Sequence, residues 1–100
     1  ILTTPPECYK RTYVKKKRIY VRNENTEKAA ATLKQIAQEE GIVCWDLFTA
    51  TGGKNSCRKW QTQHLLSKDR IHFTQRGYQD QGVLLYRALM NAYNAHLDKE

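Results

Sequence analysis

One hundred residues make one domain or part of one, and a chain of this size buries well under three-quarters of its unfolded surface, so its stability is expected to be modest. A hydrophobic share of 40% with 10% aromatics excludes a disordered composition, and no run approaches the roughly 20 apolar residues of a membrane span. The formal charge of +7, much of it between Lys10 and Arg22, favours anionic partners such as nucleic acid, acidic polymer or an anionic membrane surface, or else marks a local surface of a larger, better balanced protein.

Ile1-Leu2-Thr3-Thr4 reads as a short β-strand stopped by Pro5-Pro6. A strand placed before any partner, in a chain that does not start with Met, is expected of a sequence that begins inside a fold. No secretory leader is present in these residues, which leaves the compartment open. Residues 7–25 are basic and tyrosine-rich, with partial alternation that suits a short hairpin or an extended surface loop. Asn23-Glu24-Asn25 then supplies turn and N-cap chemistry.

A helix is expected over about Thr26 to Glu40, with Ala29, Leu33, Ile36 and Ala37 in one apolar stripe and Gly41 as its C-terminal glycine. Ile42-Val43-Cys44-Trp45 is short, apolar and partly β-branched, as a buried parallel strand would be. Asp46 follows at its C-terminal end, as a loop cap or a salt-bridge partner. Residues 49–68 show no long periodicity; Gly52-Gly53 marks a turn, and Trp60, Leu65 and Leu66 are apolar anchors. Thr74 is the expected N-cap of a final helix to about Leu97, with Tyr78, Gly82, Leu85, Leu89, Ala92 and Tyr93 along one face. Gly77 and Gly82 are poor helix formers, and each is expected to allow a close packing contact.

Strand, helix, strand, loop, helix is the order of an α/β protein with a parallel sheet. Two strands make a poor parallel sheet, which normally needs cover on both faces. Residues 1–100 are therefore expected to be the C-terminal portion of a single three-layer α/β/α domain. Unpaired strand edges in such a piece invite self-association. Of the three cysteines, Cys8 and Cys57 are the pair a bridge could join, and Cys44 sits in an apolar run as a small core residue. No CxxC or histidine-rich spacing suggests a metal site.

The chemistry-bearing pattern is Asp69-x-x-His72, placed after a loop and just before a helix N-cap. A serine hydrolase needs an imidazole to take the serine proton and return it to the leaving group, and a carboxylate to fix the ring's tautomer. A spacing of three can put both groups in one turn. Taken alone, the pattern equally fits a surface carboxylate beside a helix-start histidine.

Around it stands an ordered series: Gly52-Gly53, Ser56, Trp60, Leu65 or Leu66, Asp69-Arg70-Ile71-His72-Phe73-Thr74, Gly77-Tyr78 and Gly82. This series resembles the C-terminal block of the SGNH (GDSL-type) hydrolases, and among them the bacterial acylhydrolases that include peptidoglycan O-acetylesterases. Ile1 to Pro6 resembles that subgroup's central strand and following loop, and Trp45-Asp46-Leu47 its next strand. The resemblance implies an α/β/α sandwich with a parallel sheet and a serine esterase that works on short, carbohydrate-linked acyl esters. His72 would be the general base and Asp69 its orienting acid. The implied partners are an ester substrate, in the form of acetylated carbohydrate or cell-wall polymer, and the remainder of the parent domain. No cofactor or metal is implied, and the implied location is extracytoplasmic, in a bacterium. The family's Gly-Asp-Ser nucleophile segment and its oxyanion-hole blocks have no counterpart in the chain, so the 100 residues alone are expected to be inactive. A lipase-like acylhydrolase is the alternative within the enzyme class.

Other residues admit plainer roles. His64 and His96 read as surface histidines, and Trp45 and Trp60 as packing residues. The basic segment 9–22 reads first as a solvated surface insertion. The alternatives are a holder of anionic cell-wall polymer, or a non-catalytic polyanion- or nucleic-acid-binding fragment. Nucleic acid is disfavoured, because no RNA-recognition or helix-turn-helix signature accompanies the charge.

Overall fold

The computed structural model describes residues 1–99. Its elements are β1 (Leu2–Thr3), β2 (Tyr9–Val14), β3 (Lys17–Arg22), α1 (Glu24–Glu40), β4 (Cys44–Trp45), α2 (Leu47–Ala50), α3 (Ser56–Thr62) and α4 (Gln75–Asp98). The architecture is mixed α/β, with a two-stranded parallel sheet and a separate antiparallel pair. In the parallel sheet Leu2 stands opposite Cys44 and Thr3 opposite Trp45, and α1 packs against both strands. Both strands are shorter than their apolar runs suggest, because Ile1, Ile42 and Val43 lie exposed outside them.

Local chemistry sets the helix ends. The Asn23 side chain caps α1 by accepting from the Asn25 amide, and Gly41 closes it in the left-handed conformation. The buried residues of α1 are Thr26, Ala30 and Ala37, with Leu33 half-buried between them. The inward stripe is thus offset from the one expected, with Ala29 and Ile36 facing solvent. Small side chains hold this face, which lets the helix lie close to the sheet. Thr4 is fully buried, and its hydroxyl both donates to Asp46 (3.1 Å) and accepts from the Phe48 amide (3.0 Å). Asp46 also caps α2 through the Thr49 amide and pairs with Lys34 at 3.1 Å, so cap and salt bridge are both realised.

The basic segment is a hairpin. Tyr9 pairs with Arg22 at its root and Val14 with Lys17 at its tip, where Lys15 and Lys16 form the two-residue turn. Both turn lysines have positive φ, 51° and 65°. This is the geometry that a primed hairpin turn demands and that Asn-Gly usually supplies. The root is fastened by Glu7, a fully buried carboxylate that accepts from the Arg22 guanidinium and, at 3.2 Å, from the Cys57 amide.

The core is a small cluster of Cys57, Trp60, Leu65, Leu66 and Phe73, with Tyr9 packed against it. Trp60 meets Phe73 edge to face at 5.3 Å and donates its indole N–H to the Thr51 carbonyl at 2.7 Å. α2 and α3 occupy the stretch that shows no long periodicity, since helices of four and seven residues are too short to display one. Trp45 is half-buried rather than central. All three cysteines are free, so a Cys8–Cys57 bridge is not formed, and Cys44 is only half-buried.

α4 is capped by Thr74, whose hydroxyl accepts from the Gly77 amide. Gly77 packs tightly against the Leu65 carbonyl, whereas a Cβ at Gly82 would meet nothing within 4 Å; the close contact expected at Gly82 is absent. The apolar face expected on α4 exists in sequence but is uncovered: Tyr78, Leu85, Leu89 and Tyr93 are 51%, 39%, 53% and 55% exposed. The radius of gyration is 15.9 Å, against about 13 Å for a compact domain of this length. Among the described residues no helix is long and apolar enough to cross a membrane.

Candidate functional site

The Asp69–His72 segment is a tight loop clamped at its base. Leu66 and Phe73 form an antiparallel bridge, the Ser67 amide donates to the His72 carbonyl (2.9 Å), and the Arg70 amide donates to the Ser67 carbonyl (2.9 Å). Leu66 and Phe73 are buried in the core cluster, which anchors both ends of the loop. The turn requires a left-handed residue, and Arg70 takes it at φ 59°.

Within this loop the two residues meet as their spacing allows. The His72 ring donates its Nδ1 proton to Asp69 Oδ2 at 2.6 Å, a short hydrogen bond to an ionised carboxylate. Asp69 Oδ1 accepts from the Ile71 and His72 amides, both at 2.9 Å, and from the Ser67 hydroxyl at 3.0 Å. The carboxylate is therefore fixed by the backbone before it fixes the ring. The bond from the His72 ring, then the two amides, with a smaller part from Ser67, holds the Asp69 carboxyl well below its ordinary value. With Nδ1–H committed to Asp69, the neutral ring presents Nε2 as its basic nitrogen, and the His72 side chain is 70% exposed. The arrangement can accept a proton at Nε2 and stabilise the resulting imidazolium, which is the work of a general base and its orienting acid.

The described residues bring no nucleophile to that nitrogen. Ser67 bonds Asp69 and the His72 carbonyl, and Ser56 is buried at the start of α3. The Cys57 thiol is buried against Glu7; burial first, then its hydrogen bond with the Glu7 carboxylate and that group's charge, push it up to about 12, which leaves it inert at neutral pH. No group of three or more His, Cys, Asp or Glu residues suited to a metal occurs among the described residues. A cleft of about 430 Å³ between α3 and α4 is lined by Lys59, Trp60, Asp80 and Arg87 but includes neither Asp69 nor His72. We take the Asp69–His72 dyad as the candidate site, because its hydrogen bonds orient a basic ring nitrogen toward solvent.

Three contributions to the site are not evident from a D-x-x-H pattern. Ser67 braces the carboxylate, and a Ser two positions before an Asp, ahead of a turn, is the local signal that could have shown it. Arg70 lays its guanidinium over Tyr20 at 4.3 Å and Tyr9 at 5.5 Å, and its carbonyl accepts from the Tyr9 amide at 3.1 Å, so the hairpin packs directly on the loop. Glu7, the lone acid before the basic run, fastens the hairpin root. His64 and His96 are exposed and lie outside the dyad, and Trp60 is a core residue. Compared with protein-family models, with curated proteins and with solved structures, the chain matches none.

Proposed function

We propose that the chain is the C-terminal, acid–base part of an ester hydrolase of the SGNH type. The observation that carries this reading is the 2.6 Å hydrogen bond from His72 Nδ1 to a carboxylate that three further donors already hold. In the proposed reaction a serine outside these residues attacks the carbonyl of a short, carbohydrate-linked acyl ester. His72 Nε2 takes the serine proton and returns it to the leaving alcohol. Water, deprotonated by the same nitrogen, then attacks the acyl-serine, and His72 gives that proton to the departing serine oxygen as the acid is released. Asp69 keeps the ring in the right tautomer and faces the imidazolium through both steps.

The parallel β1–β4 pair and the uncovered apolar face of α4 support reading the chain as one part of a three-layer sandwich, since the missing strands and a second helix layer would cover both. An extracytoplasmic location in a bacterium follows from the resemblance and belongs to this proposal. Fluorophosphonate labelling of the full product of the gene tests it. One serine should be labelled in the intact protein, the His72→Ala variant should label at least tenfold more slowly, and the 100-residue chain should not label. A full product with no reactive serine would overturn the reading. So would equal labelling of the His72→Ala variant.

A further inference from the structure

The hairpin register has a chemical regularity. Tyr9 stands opposite Arg22, Arg11 opposite Tyr20, and Tyr13 opposite Arg18. Because side chains alternate along a strand, all six lie on one face, as three cross-strand Tyr–Arg pairs. The other face carries Lys10, Thr12, Val14, Lys17, Ile19 and Val21. The root pair is engaged: Tyr9 packs on the core, and Arg22 is held by Glu7 and Glu27. In the outer pairs Arg11, Tyr13 and Arg18 are exposed, and Tyr20 is half-buried.

Charge and position sharpen this. Residues 8–23 contain seven Lys or Arg and no Asp or Glu, so the hairpin accounts for the whole formal charge of +7. Arg70, the residue after Asp69, extends over Tyr20 on this same face. The face therefore runs from the hairpin tip directly to the loop that holds His72.

We propose that the Tyr–Arg face binds an acidic polysaccharide. Arg11, Arg18 and Arg70 take its carboxylates through planar, two-pronged hydrogen bonds, and the exposed Tyr13 stacks on its sugar rings. Alternating rings and cations match a polymer whose rings and charges alternate. The choice of a polysaccharide over other polyanions rests on the ester-hydrolase reading, because a chain seated here leads to His72 and must carry an acyl ester.

The test is equilibrium binding of the chain to polygalacturonate at low salt, with polyglutamate as a polyanion without rings and an oligothymidylate as the nucleic-acid comparison. Polygalacturonate should bind best. The Arg11→Glu/Arg18→Glu variant should weaken it by about tenfold or more, given roughly 1 kcal/mol for each exposed ionic contact. Tyr13→Ala should weaken polygalacturonate about fivefold and leave polyglutamate unchanged. No binding of polygalacturonate would overturn the proposal, as would equal binding of polyglutamate with Tyr13→Ala silent. Tighter binding of the oligothymidylate would make the face a nucleic-acid site and overturn it too. A labelling-negative full product whose chain still binds in a Tyr13-dependent way would sink the hydrolase reading and keep the face.

Discussion

Adding one methyl group at Gly77 is expected to unsettle the candidate site. A Cβ there would lie 2.3 Å from the Leu65 carbonyl oxygen and 3.0 Å from Phe73 Cβ. The obstacle is largely backbone, so no flexible side chain can swing aside. The same carbonyl accepts the Thr74 amide at 2.9 Å, which ties the N-cap of α4 to the segment that leads into the Asp69 loop. Relief demands a shift of well over half an ångström in a hydrogen-bonded carbonyl. Overpacking costs about 1–3 kcal/mol where side chains can adjust, and the gain from alanine's helix propensity is at most about 1 kcal/mol. We expect Gly77→Ala to destabilise by about 2–3 kcal/mol, or roughly 10–20 °C in Tm for a chain of this length. Gly82→Ala, in the same helix with nothing within 4 Å, should be neutral or stabilising by up to about 1 kcal/mol. Urea unfolding followed by Trp fluorescence measures both, since Trp60 packs on Phe73 at the loop base. A Gly77→Ala variant as stable as the parent would refute the packing argument, as would equal losses at both glycines.

Glu7 should control acid stability. Burial works to raise its pKa, but hydrogen bonds from the Asn55 amide, Arg22 and Cys57 outweigh it, and the carboxyl sits below its ordinary 4.5. A depressed folded value means that its contribution is present above about pH 4.5 and fades as pH falls through the lower, folded value. Glu7→Gln should lower stability near pH 7 by about 3 kcal/mol and flatten the loss on acidification, both readable from urea midpoints at several pH values. An unchanged acid limb would contradict this. Cys57 should be the last thiol alkylated by iodoacetamide at about pH 8.5 in the native chain, and should react readily in urea. Mass spectrometry showing Cys57 modified as fast as Cys44 would contradict its burial against Glu7.

How much the sequence reveals differs by element, for physical reasons. The ends of α1 and α4 are legible because Asn23, Gly41 and Thr74 act through their own backbone neighbours. The dyad is legible for the same reason, since Asp69 and His72 meet inside one turn. The inward face of α1 is not, because small residues make the close contacts while Ile36, the more hydrophobic side chain, points outward. The hairpin turn lacks Asn-Gly and places two lysines at positive φ instead, so alternation alone cannot separate a hairpin from a loop. Gly77 and Gly82 look alike in sequence and differ only in what lies across from them, which depends on the path of residues 65–73. Glu7 is obscured by its distance in sequence from Arg22 and Cys57, and no local pattern announces a buried ion pair.

On the proposed function, Asp69 and His72 act together as the orienting acid and the base of an ester hydrolase. The most direct test is the kcat of the full gene product for p-nitrophenyl acetate, measured for the parent and for Asp69→Asn. Asp69→Asn keeps the shape of the loop but removes the charge that fixes the tautomer and faces the imidazolium. We expect kcat to fall about 10²- to 10⁴-fold with KM little changed. A kcat within about twofold of the parent would contradict it.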